Sequence, residues 1–149
     1  MSDTIEDLDF RWVRTGWFDQ GRKCDEYVKY AVDYIPGEPL PARWTSNNAA
    51  HFVRQFGEGP RWSKTASYHT LWISGHPVLR IWTNAKHVTN IEVSQKLKLT
   101  LEKEGFSFVP VPEGTLNKRK EFRWRRRLMM KEELRFILEW VKVLYGLDE

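Results

Sequence analysis

The feature of this chain that most limits its fold is a pair of alternating apolar runs between Tyr68 and Thr83. The runs flank Ser74-Gly75-His76-Pro77, a segment rich in turn-forming residues. A period of two on both sides of a turn predicts an antiparallel hairpin, so the chain contains a sheet with one face towards a core. That face would carry Leu71, Ile73, Leu79 and Ile81.

Four further segments are predicted to be strands, the first three because they are rich in β-branched and aromatic residues and the fourth because apolar and basic residues alternate in it. They are residues 10–18, 27–34, 106–111 and 118–128. In the second, Val28, Val32 and Ile35 also fit one face of a helix, but the alternation of valine and tyrosine favours a strand. The third should lie at a sheet edge, because Pro110 has no N–H to donate. In the fourth, three cations at the start of a helix would oppose its dipole, so we again favour a strand.

Three helices are predicted between these strands. The first covers residues 46–56, with Thr45 or Ser46 as its cap and Gly57 at its end. The second begins at Thr89-Asn90-Ile91-Glu92, which matches a capping box, and ends at Gly105. The third begins near residue 132 and ends before Gly146. The predicted fold is therefore α+β, with an antiparallel sheet and about three helices packed on it in a repeated hairpin-helix order.

The chain is predicted to form one domain over residues 1–149, with a flexible N-terminus at residues 1–8. A single cysteine, Cys24, excludes an internal disulfide and a Cys-rich zinc site, which favours a reducing compartment. No apolar run approaches the ~18 residues of a spanning helix, and the acidic start lacks a signal-peptide pattern. We therefore expect a cytoplasmic protein with no membrane contact, no cofactor and no metal.

Positive charge is concentrated in a basic segment near the C-terminus, residues 118–131. It contains eight basic side chains and one acidic side chain, Glu121, and so carries +7. Because the whole chain carries +4, the other residues together carry −3. A local excess of cations on a mildly acidic body indicates contact with a polyanion.

If the basic segment is a strand, its side chains alternate between two faces. Arg123, Arg125 and Arg127 would project from one face at intervals of about 7 Å, close to the spacing of successive phosphates. Phe122 and Trp124 would anchor the strand to the core from the other face, or stack on bases if exposed. The alternative is a solvated strand paired with carboxylates, or a docking patch for an acidic protein. The predicted nucleic-acid-binding residues are Lys118, Arg119, Lys120, Arg123, Trp124, Arg125, Arg126, Arg127 and Lys131.

The outer side of the predicted hairpin is a second candidate surface. An aromatic face that carries an arginine is typical of sheets on which single-stranded bases stack. The alternative is a sheet covered on both sides, which would bury the same rings in a core. The possible stacking face comprises Tyr68, Trp72, Arg80 and Trp82.

The segment that starts at Ile81-Trp82-Thr83 and continues through a predicted helix resembles the strand-helix unit of the messenger-RNA cap-binding initiation-factor family. The helix positions that carry this resemblance are Val88, Ile91, Leu101, Glu102 and Gly105. That family is also rich in tryptophan and built from hairpin-helix units. Its cap pocket needs a Trp followed by Glu, and no Trp of this chain is followed by Glu, so no site residue is carried over.

These patterns predict a non-enzymatic module that binds RNA, single-stranded DNA or a nucleoprotein surface through the basic segment. A second hypothesis is a small inhibitor or adaptor, of the toxin-immunity or phage anti-defence type, that binds a host enzyme through an acidic surface of that partner. A third is a metal-independent ribonuclease in which His69 and His87 form an acid/base pair. The other two histidines are His51 and His76. No two of the four histidines have the HxH or HxxxH spacing that is typical of metal ligands.

Overall fold

A computed structural model of the protein describes residues 23–41, 44, 48–65, 67–83, 89–111 and 124–147. The described residues form four helices and seven strands, a mixed α+β fold. In chain order these are α1 (Lys23–Tyr34), β1 (Glu38–Pro39), α2 (Ala49–Phe56), β2 (Pro60–Lys64), β3 (Tyr68–Ile73), β4 (His76–Trp82), β5 (Thr89–Val93), α3 (Gln95–Lys103), β6 (Val109–Pro110), β7 (Trp124–Leu128) and α4 (Lys131–Tyr145).

All seven strands belong to one sheet, in the order β1-β2-β3-β4-β5-β7-β6. Only β1 and β2 pair in parallel, and every other neighbouring pair is antiparallel. Helices α1, α3 and α4 supply apolar side chains to one core together with the sheet, and α4 packs against both of the other two. We call the sheet face that these three helices cover the inner face and the opposite one the outer face.

The hairpin prediction is confirmed. Strands β3 and β4 pair around a tight turn at Ser74 and Gly75, whose φ angles are +53° and +81°. Two successive positive φ angles match the right-handed twist of the flanking strands, and glycine adopts such an angle without steric cost. The predicted inner set, Leu71, Ile73, Leu79 and Ile81, is buried in the main core.

The prediction of a strand at residues 27–34 is wrong, because this segment lies in helix α1. Val28, Ala31 and Val32 are fully buried against the sheet, whereas Tyr30 and Tyr34 are only partly buried. A strand would have placed the valines and these tyrosines on the same face. In the helix, Val28, Ala31 and Val32 form one buried stripe, and the two tyrosines lie at the edge of that stripe. This additional helix raises the number of described helices to four.

The capping box at Thr89 is also wrong, since residues 89–93 form strand β5. Ile91 and Val93 alternate into the core as fully buried residues, which a helix would not allow at this spacing. The cap of helix α3 is Ser94, five residues after the predicted cap, and its hydroxyl accepts a hydrogen bond from the Leu97 N–H at 3.3 Å. The resemblance to cap-binding factors therefore fails at Ile91, which lies in a strand and not in a helix.

The remaining predictions differ from the structure mainly at element ends. Helix α2 is capped by Asn48, whose side chain accepts from the His51 N–H at 2.9 Å, and it ends at Gly57 as predicted. Strand β6 lies at the sheet edge but is only two residues long. Helix α4 ends at Gly146 in the left-handed conformation. The predicted strand at residues 10–18, the flexible N-terminus and residues 118–123 lie outside the described residues.

Candidate nucleic-acid interface

Strand β5 brings the two candidate surfaces together, because it pairs with the hairpin strand β4 on one side and with the basic strand β7 on the other. Thr70 lies opposite Arg80, Arg80 opposite Glu92, and Glu92 opposite Arg125. Directly opposed residues of antiparallel strands project from the same face. The aromatic face of the hairpin and Arg125 of β7 therefore share the outer face of the sheet.

The centre of the outer face is a charged row in which Glu92 and Arg80 are almost closed to solvent and Arg125 is partly exposed. The Glu92 carboxylate accepts from Arg125 Nη2 at 2.7 Å and Nε at 3.2 Å, and its second oxygen lies 3.5 Å from Arg80 Nη1. The side chain of Glu92 is 2% exposed, whereas that of Arg125 is 35% exposed. A buried carboxylate between two guanidinium groups is stabilised by charge-assisted hydrogen bonds. The three side chains together carry a net charge of +1.

Next to this row lies a strip of aromatic and cationic side chains that solvent reaches. The rings of Tyr68 and Trp82 are opposed across β3 and β4 with centroids 4.8 Å apart, and both are partly exposed. The Arg80 guanidinium carbon lies 4.0 Å from the Tyr68 centroid, and that of Arg125 lies 5.9 Å from the Trp82 ring. Arg127 is exposed on β7, two residues beyond Arg125 and therefore on the same face.

The inner side of β7 holds the other residues of this strand. Arg126 forms an ion pair with Glu133 of α4 at 3.3 Å, and its guanidinium lies 4.7 Å from the Phe106 ring centroid. Trp124 donates to the Gln95 side chain at 2.8 Å and packs against Lys98 of α3. Both side chains therefore fasten β7 to the helices, and the described part of the basic segment is divided between two faces. Arg125 and Arg127 remain on the outer face.

Trp72, one of the predicted stacking residues, has a structural role. It is 6% exposed, lies in a small second core with Leu40 and Phe52, and stacks on Phe52 with centroids 5.8 Å apart. Its indole N–H donates to the Ser63 hydroxyl at 2.9 Å. Helix α2 thus covers the outer face near β2 and β3, and the exposed strip begins beyond it at Tyr68.

The histidines lend no support to an acid/base pair. His69 is 3% exposed and lies within β3. Burial, with a smaller contribution from Lys64, lowers the pKa of His69 to about 3, so the ring stays neutral near pH 7. His87 lies outside the described residues. In the part of the chain that the structure describes, no three His, Cys, Asp or Glu side chains are grouped to hold a metal ion.

Sequence reasoning missed Glu92 as part of the site, because it assigned that side chain to a helix cap. The alternation of Thr89, Ile91 and Val93 was the available signal, since β-branched residues at a period of two favour a strand. A strand there places Glu92 among the outward-facing residues. Lys131, at the start of α4, is exposed. The other predicted contacts, Lys118, Arg119, Lys120 and Arg123, lie outside the described residues.

No protein family, curated protein or solved structure matches this chain at a significant level. Among the described residues, no helix combines the length and the apolar character needed to cross a bilayer. The geometry of the outer face is therefore the basis of the functional argument.

Proposed function

We propose that this chain is a non-enzymatic module that binds single-stranded nucleic acid, RNA or DNA, on the outer face of its sheet. Bases stack on Tyr68 and Trp82, and phosphates meet Arg127 and the cations that precede and follow β7. The observation that carries this proposal is the shared face. Strand β5 pairs with β4 of the aromatic hairpin on one side and with the arginine-bearing β7 on the other.

The dimensions of the strip fit a single strand. Strands β4 and β7 are two positions apart in the sheet, so their backbones are separated by about 10 Å at ~4.8 Å per strand. In a single strand, a stacked base and the phosphate one or two nucleotides further along are a similar distance apart. The bases of a duplex are already stacked on each other, so aromatic rings on a flat sheet select unpaired bases.

The predicted site residues take different parts in this proposal. Arg127 and Lys131 are exposed and serve as phosphate contacts. Arg126 and Trp124 hold β7 against the helices, so they support the site from the inner face. Lys118, Arg119, Lys120 and Arg123 are proposed to extend the phosphate contacts beyond the start of β7.

Fluorescence anisotropy with a labelled single-stranded oligonucleotide tests the stacking role of Trp82. Stacking of one base on an aromatic side chain contributes about 1–3 kcal/mol, so Trp82→Leu should raise Kd roughly 5- to 150-fold. Tyr145→Leu is the matched control, because this tyrosine ends α4 and packs against the main core on the inner side. Equal affinity of the two variants would contradict the proposal.

The salt dependence of binding tests the phosphate contacts. If four to six cations meet phosphates of a single strand, log affinity should fall against log salt with a slope of roughly −3 to −4, and Arg127→Gln should reduce the slope by about 0.7. Lys103→Gln removes an equally exposed cation from α3 and should leave the slope unchanged. Capture of one partner protein that persists after nuclease treatment, with no binding of oligonucleotides, would instead support the adaptor hypothesis.

A further inference from the structure

One of the two guanidinium edges with which Arg125 could grip a phosphate is already occupied. Its Nε and Nη2 atoms both donate to one oxygen of Glu92, at 3.2 Å and 2.7 Å. These two nitrogens form the side-on edge of the guanidinium, one of the two edges that bind carboxylates and phosphates in a bidentate way. Glu92 therefore fills the place that a phosphate would take on that edge.

The exposed part of Arg125 has a different use. Its guanidinium lies near the Trp82 ring, with the Cζ atom 5.9 Å from the ring centroid, and about one-third of the side chain is exposed. A guanidinium group whose donor edge is occupied still presents a flat surface, on which a base can stack. Arg127 lies two residues further along β7 and has no carboxylate partner among the described residues. Neighbouring arginines on one face thus offer different chemistry.

We propose that Glu92 is a positioning residue that sets what the outer face recognises. By occupying the side-on edge of Arg125, it takes that edge away from phosphate and holds the flat guanidinium as a stacking surface beside Trp82. The centre of the face then selects unpaired bases, and among the described residues the phosphate contacts fall to Arg127 and Lys131. This inference rests on the proposed function, and it makes unpaired bases the ligand class and disfavours a duplex backbone.

The test is Glu92→Gln, a near-isosteric change that removes the charge holding Arg125. Anisotropy is measured over a range of salt concentrations with a labelled single-stranded oligouridine and with a labelled RNA duplex. The released arginine gains a phosphate contact, so the slope against log salt should steepen by about 0.7 for the single strand and about 0.9 for the duplex. The preference for the single strand should fall. If Glu92 were only structural, its loss would weaken both ligands without a steeper slope.

The double variant Glu92→Gln/Arg125→Gln is the internal control. Removing the released arginine should return the slope to that of the wild-type protein, because the additional phosphate contact belongs to Arg125. Folding is verified for each variant by circular dichroism and thermal unfolding, because Arg80 is also buried against Glu92.

A second variant keeps the inference testable if Glu92→Gln does not fold. Arg125→Lys keeps the cation for Glu92 but replaces a flat group by a compact ammonium, which stacks poorly. Single-strand affinity should fall about fivefold or more, with no change in salt slope. Unchanged affinity would overturn the inference.

The possible failures are distinguishable. An unchanged slope in Glu92→Gln, with Trp82→Leu still impaired, overturns the role of Glu92 and leaves the proposed function standing. Absence of oligonucleotide binding by the wild-type protein overturns the proposed function and this inference together.

Discussion

The burial of His69 in β3 predicts how the stability of the fold depends on pH. The folded-state pKa of His69 is lowered to about 3 by burial, whereas an unperturbed histidine has a pKa of 6.5. Below pH 6.5 the unfolded chain therefore takes up a proton that the folded chain does not accept. The contribution of His69 to stability is complete above pH 6.5 and is lost progressively as the pH falls towards 3.

The magnitude at pH 5 follows from these two pKa values. That pH lies 1.5 units below the ordinary pKa and well above the folded-state pKa, so the loss of unfolding free energy is about 2 kcal/mol at 1.36 kcal/mol per unit. The result depends little on the folded-state pKa, provided that it lies at or below about 4. A pH near 5 is therefore informative, since few carboxylates titrate between pH 7.5 and 5.

Urea denaturation of the wild-type protein and of His69→Gln at pH 7.5 and 5.0 measures this effect. Glutamine is neutral throughout, so the stability difference between the two proteins should shift by about 2 kcal/mol in favour of the variant at the lower pH. If the variant does not fold, the ring protons of His69 in the wild-type NMR spectrum provide the same test and should not titrate above pH 5. Parallel pH dependence, or a ring that titrates near pH 6.5, would refute the reasoning and restore His69 as a candidate acid/base.

Three further changes test the fold. Ser94→Ala should lower the unfolding free energy by about 1 kcal/mol, since Ser94 caps α3; no change would mean that the helix starts elsewhere. Gly75→Ala should destabilise more than Gly146→Ala in thermal unfolding. Both positions have positive φ angles, but an added Cβ at Gly75 meets the Ala49 backbone at 2.8 Å, whereas no atom of the described residues lies within 4 Å of a Cβ added at Gly146. Trp62→Phe should cost roughly 1–3 kcal/mol in urea denaturation, because it leaves the buried Ile35 carbonyl without its 2.9 Å donor; a neutral result would contradict this.

The sequence predicted elements well where one periodicity was unambiguous. The hairpin around Gly75 and the helix that ends at Gly146 have long apolar patterns that fit a single structure. The segment at residues 27–34 fits both periods, and only packing against the sheet decides for the helix. At residues 89–93 a four-residue capping pattern competed with a β-branched alternation, and pairing on both sides of β5 favoured the strand.

The candidate site was predictable in its parts but not in its assembly. A period of two in the basic segment correctly separates Arg125 and Arg127 from Trp124. The joining of these arginines to Tyr68 and Trp82 depends on β5 lying between β4 and β7, a non-local arrangement that no short pattern specifies. The role of the Glu92 carboxylate, which binds Arg125, could not be predicted for the same reason, because it follows from the register between β5 and β7.

The most direct test of the outer face as a single-strand binding surface is photo-crosslinking of a 4-thiouridine oligonucleotide, followed by identification of the linked residues by mass spectrometry. We predict crosslinks at Tyr68 or Trp82 and in the peptide that contains Arg127. Crosslinks confined to helices α1, α3 and α4, or none at concentrations where the oligonucleotide is bound, would contradict the account.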